Sequence, residues 1–234
     1  MGRVASLRRR LGRVRRWARK RPPVGMVRFG SLRRTTPIGR EWGEDRGRPV
    51  DRVYIDRFMG AHRADIRGHV LEIQYPVYAS RFGSGVTETD VMDILPDNPA
   101  ATIVADLTAA SVVPDDEFDC VVLSQTLHLI HDHERAVREV DRMLRPGGVV
   151  LATVPGIAPV VDAARWRYTP LSARELFEGV FGAGQVEVEW FGNVLVASAF
   201  LYQLGSRELR HAEYDARDPA YPMLIAVRAQ KADP

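Results

Sequence analysis

Seven short apolar runs, separated by polar or helix-period stretches, decide what this chain of 234 residues can fold into. They are HVLEIQ (69–74), GVTETDV (85–91), ATIVA (101–105), DCVVLSQ (119–125), GVVLATV (148–154), QVEVEWF (185–191) and PMLIAVRA (222–229). Helical spacing of apolar residues falls at 51–66, where Asp51 is placed to cap and Gly68 to terminate, and again at 132–145 and 172–181. Strands that are apolar throughout belong in a sheet covered on both faces, and each parallel crossover must lie across one of those faces. The pattern therefore predicts an α/β three-layer sandwich around a doubly wound, mostly parallel seven-stranded sheet. One antiparallel edge strand is expected, because a last strand returning after the long connection 192–220 suits an antiparallel pair, with the apolar run 194–204 packed on the sheet. About a dozen residues separate the first two strands, so the first crossover helix must be very short.

Charge divides the chain. Residues 1–40 hold 14 Lys/Arg and no acid, leaving 19 basic against 30 acidic residues in 41–234. We read 1–40 as a basic tail and linker and 41–234 as a single domain. An acidic body repels a phosphate backbone, so no specific nucleic acid is expected as partner. In the tail, Val4, Leu7, Leu11, Val14 and Trp17 form a thin apolar stripe among arginines, which suits a helix lying on an anionic membrane surface; a solvated basic extension is the alternative. No apolar stretch follows the paired arginines, which speaks against an export signal, and the longest mainly apolar segment, 194–202, is too short to span a bilayer. A single cysteine, Cys120, forms no internal disulfide. With the strong preference for arginine over lysine, these features place a bacterial protein in the cytoplasm, peripheral at the inner membrane face if the tail engages lipid.

Several motifs then come in a set order. Asp106 closes the third strand, Pro-Asp-Asp-Glu-Phe-Asp (114–119) leads into the fourth, Leu127-His128 follows it, and Leu-Arg-Pro-Gly-Gly (144–148) forms a hairpin ahead of the fifth. In this order they resemble a class I S-adenosylmethionine-dependent methyltransferase, of the methyltransferase type 11-like kind. The similarity runs over about residues 50–229 and is strongest over 104–132 and 144–155; a weaker likeness is to small methyltransferase domains of sugar and glycan pathways. It implies a Rossmann-like methyltransferase fold and S-adenosyl-L-methionine as cofactor, with Asp90 accepting the ribose hydroxyl protons, Asp106 accepting the adenine amino group and the backbone N–H of Leu107 facing a ring nitrogen. Elementary topology agrees, since ligands of doubly wound sheets sit beyond the carboxyl ends of the strands and Glu72, Asp90, Asp106 and Ser124 fall at or near such ends. Each acid has a plainer alternative as a helix N-cap or turn residue.

One departure stands out. The family's first strand runs into acid-x-Gly-x-Gly, whereas here the residues are Glu72-Ile73-Gln74-Tyr75-Pro76. Bare backbone in that loop lets the cofactor approach closely. Either the site is kept in altered form, with Gln74, Tyr75 or Tyr78 supplying polar contacts, or cofactor binding is lost.

For catalysis, His128 and His131 follow the fourth strand and either can take a proton from an acceptor hydroxyl. Arg167 and Tyr168, beside Trp166 on a loop after the fifth strand, are candidate substrate contacts, and Arg52 and Tyr54 on the leading helix flank the pocket. The spacing of His128, His131 and His133 matches no common zinc pattern, so no metal is expected. Ser124-Gln125-Thr126-Leu127 lacks the Asn/Asp-Pro-Pro-Tyr/Phe sequence of many enzymes that methylate base amino groups. The expectation is methyl transfer (EC 2.1.1.-) to a small-molecule or glycan-linked acceptor, at oxygen. The rival is a non-catalytic protein of the same fold that binds or stabilises a partner in a glycan or secondary-metabolite pathway. A dehydrogenase is disfavoured because Gly-x-Gly-x-x-Gly is absent after the first strand. The sequence names neither the acceptor nor an oligomeric state.

Overall fold

The computed structural model describes residues 22–233 and divides the chain into two units, Met1–Thr36 and Pro37–Pro234. Of the first, residues 22–36 are described; they hold one turn of 3-10 helix, Gly30–Leu32, and the Arg33 guanidinium lies 5.4 Å over the Phe29 ring. The stripe formed by Val4, Leu7, Leu11, Val14 and Trp17, and the membrane-surface helix expected from it, lie outside the described residues.

The second unit is built on a seven-stranded sheet of order β3-β2-β1-β4-β5-β7-β6. Its strands are β1 Gly68–Ile73, β2 Val86–Asp93, β3 Ile103–Val104, β4 Phe118–Ser124, β5 Leu144–Pro155, β6 Val186–Phe191 and β7 Leu224–Gln230. The first five are parallel to their neighbours, and β7 runs antiparallel between β5 and the edge strand β6. Chain order reverses between β1 and β4, which opens the crevice where such sheets take ligands.

Side chains alternate across the sheet, and both sets are buried. From β4, Val121 and Leu123 point into one core with Ala136, Val137 and Val140 of α3 (His133–Met143) and Ala173 and Phe177 of α4 (Pro170–Phe181). Cys120 and Val122 point the other way, among Tyr54, Ile55 and Phe58 of α1 (Asp51–Ala61) and Val196 and Phe200 of α5 (Val194–Leu201). This is the continuous hydrophobic run of a strand covered on both faces. The segment 192–220 folds as α5, a 3-10 turn at Ser206–Glu208 and α6 (His211–Asp215). Asn193 fastens the first to the last: its Oδ1 accepts from the amides of Leu195 and Val196, and its Nδ2 donates to the carbonyls of Glu213 and Ala216. No described helix is long and apolar enough to cross a membrane.

Four local readings change. The leading helix stops at Ala61, and Asp51 is not its cap: Val50 already has helical backbone angles (φ −62°, ψ −39°), so Asp51 lies inside the first turn, buried. Gly68, with φ +65°, starts β1 and does not end a helix. The Leu-Arg-Pro-Gly-Gly segment is the irregular start of β5, where the register against β4 shifts, and not a separate hairpin. Finally, β2 continues to Asp93, because Val91 and Met92 pair with Glu72 and Ile73 and are themselves buried.

Candidate active site

The first crossover helix, α2 (Tyr78–Phe82), has only five residues, too few to be stable alone. It is held by Glu72, which ends the buried part of β1. The Glu72 carboxylate is 1% exposed and accepts from the backbone N–H groups of Val77 at 3.0 Å, Tyr78 at 2.9 Å and Ala79 at 2.6 Å. Burial pushes its pKa up, and the three amides pull against that shift.

Between Glu72 and this helix, Gln74 occupies the place of the family's first glycine and keeps a glycine's backbone, with φ +69°. Its N–H donates to the Met92 carbonyl and its own carbonyl accepts from Asn98 Nδ2 at 2.8 Å, so neighbouring strands enforce the turn. The loop therefore follows the expected path while carrying side chains. A non-glycine residue in the left-handed region costs about 1–2 kcal/mol. Gln74→Gly should raise stability by about 1 kcal/mol, after glycine's entropy in the unfolded chain is counted, and Gln74→Val should lower it; urea denaturation reads both.

Two cavities meet at the carboxyl ends of β1 and β4. One, of about 360 Å³, is lined by Gln74, Tyr75, Tyr78, Arg52, Ser124 and Gln125. The other, of about 240 Å³, shares Arg52 and Gln125 with it and continues to Asp51, His128, Arg167 and Trp42. A larger groove of about 500 Å³ lies at the amino ends of the strands, beside Gly68, Asp119 and Gly147, remote from this crevice.

The candidate residues from the sequence divide between these places. Gln74, Tyr75 and Ser124 line the first cavity, where the Ser124 hydroxyl lies 3.2 Å from Thr153 Oγ1 and accepts from or donates to it. His128 lines the second, only 8% exposed, with Nδ1 lacking any partner. Burial, with the Arg167 charge adding to it, lowers its pKa to about 4, so the imidazole is neutral near pH 7. His131 is exposed and lines neither cavity. Arg167 reaches the second cavity and donates to the carbonyls of Trp166 and Pro159. Tyr168 turns away: it is buried, its hydroxyl lies 2.7 Å from His133 Nδ1, and it lines a separate groove with Trp166. Tyr54 is a core residue, fully buried, stacked 5.2 Å from Phe191, with its hydroxyl donating to the Tyr214 carbonyl.

The acids on the second and third strands are placed differently from one another. Asp90 sits within β2, three residues before its end, where its carboxylate meets His69 Nε2 at 2.8 Å and accepts from Thr102 Oγ1 at 2.5 Å. His69 Nδ1 lies 3.1 Å from Glu117, so both imidazole nitrogens face carboxylates. The acid that ends β2 is Asp93, which accepts from the Leu95 amide and from Asn98 Nδ2. It was missed because the strand reads as ending at Val91. Asp106 is exposed just beyond β3, with Oδ1 accepting from the amide and hydroxyl of Thr108, and Leu107 beside it is buried. Asp51 and Gln125 were also missed as cavity residues: a buried acid inside a helix and a glutamine at φ +52° have no signature in a single sequence.

Comparison with known proteins adds the family. Residues 79–152, from α2 into β5, match the model of the family described as a methyltransferase domain. No curated protein matches the chain. Among solved structures, the fold is similar to a SAM-dependent methyltransferase from Archaeoglobus fulgidus, 15% identical, covering 77% of this chain and 90% of that one with a TM-score of 0.50. It is similar also to a SAM-dependent methyltransferase, possible histamine N-methyltransferase, from Thermotoga maritima, 14% identical, covering 78% and 91% with a TM-score of 0.54. The matched segment holds the short helix that Glu72 caps, the β4 end and His128, and on that match and the sheet order the chain carries a class I S-adenosylmethionine-dependent methyltransferase domain with a glycine-poor first motif.

Proposed function

We propose that this protein transfers the methyl group of S-adenosyl-L-methionine to a hydroxyl of a small or glycan-linked acceptor. The observation that carries the reading is the pair of adjoining cavities at the β1 and β4 ends, one beside the reshaped first loop and the other beside an unpartnered, neutral His128. The residues fit the cofactor. Gln74 preserves the backbone path that a glycine would give, Tyr75 and Ser124 offer polar atoms in the first cavity, and Arg52 supplies a cation for a carboxylate where the cavities meet.

Bound there, S-adenosyl-L-methionine supplies a methyl group made electrophilic by its positively charged sulfur. The chain's part is placement and proton removal, since an in-line displacement gains much of its rate from alignment. Arg52 and Gln125 border both cavities and so orient the two reactants. His128 Nδ1, neutral near pH 7, accepts the acceptor's hydroxyl proton.

Calorimetric titration of S-adenosyl-L-methionine into the full-length protein tests this directly. Saturable heat is expected, with weaker binding for Arg52→Ala. No heat at ~1 mM ligand, a level corresponding to about −4 kcal/mol, would sink the proposal. A stable, folded protein that ignores the cofactor would favour the rival role of a binding partner.

A further inference from the structure

Among the described residues, three buried side-chain atoms have no hydrogen-bond partner: Asp51 Oδ1, Gln125 Nε2 and His128 Nδ1. They come from a helix, a strand end and a 3-10 turn far apart in sequence, yet all three residues line the same cavity of about 240 Å³. Asp51 and His128 are each more than nine-tenths buried, at 7% and 8% exposure. A buried polar group left unpaired costs about 1–3 kcal/mol, and native proteins leave few of them. Three around one cavity mark a site completed by a ligand. Gln125 adds a second sign, because its left-handed backbone (φ +52°) is the kind of local strain that a functional position retains.

We propose that this cavity takes a small, neutral, polyhydroxylated acceptor, a cyclitol or a single pyranose ring, whose hydroxyls complete Asp51, Gln125 and His128. The assignment of the cavity to the methyl acceptor rests on the methyl-transfer reading above. The chemistry of the lining selects the class. A hydroxyl both donates and accepts, so a polyol can donate to Asp51 Oδ1 and His128 Nδ1 while accepting from Gln125 Nε2. An apolar ligand would leave all three unpaired. A cationic one meets Arg52 and Arg167, and an anionic one meets the open carboxylate oxygen of Asp51 with Glu44 nearby, so the charged groups lining the cavity balance. Trp42, 37% exposed on the cavity wall, offers an aromatic face to the C–H side of a ring.

With such an acceptor in place the step balances. The acceptor oxygen forms a bond to the methyl carbon, the carbon–sulfur bond breaks with its electron pair left on sulfur, and the hydroxyl proton passes to His128 Nδ1. Products are a methyl ether, a neutral thioether and an imidazolium.

The test is ligand-observed saturation-transfer NMR on the full-length protein without cofactor, using myo-inositol and the methyl glycosides of glucose, galactose, mannose and rhamnose at about 50 mM, enough to reveal weak binding. At least one neutral probe should bind, and its amino-sugar or uronate counterpart should bind about tenfold more weakly. Asp51→Asn should weaken the neutral probe about tenfold while its melting curve and its affinity for S-adenosyl-L-methionine, titrated separately, stay near wild type. Absence of binding by every neutral probe to folded wild-type protein overturns the inference, as does equal binding by a charged counterpart or by Asp51→Asn. Because the two titrations are read independently, a protein that binds a polyol but no cofactor would defeat the methyl-transfer reading and leave the site's chemistry standing. A protein that binds cofactor but no polyol would do the reverse.

Discussion

His128→Asn is expected to lower turnover by about 10²–10⁴-fold, the usual contribution of a positioned general base, with affinity for S-adenosyl-L-methionine unchanged within about twofold. The separation follows from place: His128 lines the smaller cavity and not the one beside Gln74 and Tyr75. Its unpartnered Nδ1 and its pKa of about 4 give the prediction a pH signature. The imidazole is neutral through the range where an ordinary histidine titrates, so kcat/KM should stay flat from neutral pH down to about 5 and fall near pH 4. That limb should vanish in His128→Asn. Stability follows the same linkage. A histidine with a depressed folded pKa binds its proton more readily in the unfolded chain, so the folded state should lose stability as pH falls from about 6.5 towards 4, and the variant should lose less over that window. Pre-steady-state methyl transfer and denaturation at several pH values check both. Equal loss of cofactor affinity and turnover would mean that His128 shapes the cofactor site and does not act as base.

What the sequence disclosed tracks how strongly each feature is dictated locally. Strands buried on both faces announce themselves, because every position from Cys120 to Leu123 must be apolar. The brevity of the first crossover followed from simple chain length between Glu72 and Asp90. Strand ends were less legible. β2 gains Met92 and Asp93 only by pairing with Ile73 and reaching β3, a tertiary fact, and that extension moves the terminal acid from Asp90 to Asp93. Asp51 illustrates the other limit. An acid ahead of an apolar helix reads as a cap, but the backbone turns helical one residue earlier and carries the carboxylate inside. Its unpaired oxygen becomes visible only once Gln125 and His128 are brought to the same cavity.

Glu72→Ala should cost about 3 kcal/mol of stability and disable cofactor binding, although the side chain is buried away from solvent in the fold's centre. The carboxylate is the only link that fixes the start of α2, with three amides converging on its two oxygens. Such charge-assisted bonds are individually worth about 1.5–3 kcal/mol, but desolvation of the carboxylate, which pushes the Glu72 pKa up, cancels part of that sum. The loss on truncation therefore comes chiefly from stranding three backbone N–H groups at the head of a helix too short to persist without them. Glu72→Gln separates charge from geometry. One amide oxygen can still accept, but its NH₂ would face backbone donors, so about half or more of the truncation's cost should remain. Urea denaturation measures stability, and calorimetry with S-adenosyl-L-methionine measures the site. If Glu72→Gln is fully stable yet blind to the cofactor, the carboxylate contacts the ligand itself; if both variants bind normally, the loop at Gln74 is held by its strand contacts alone and Glu72 is not its anchor.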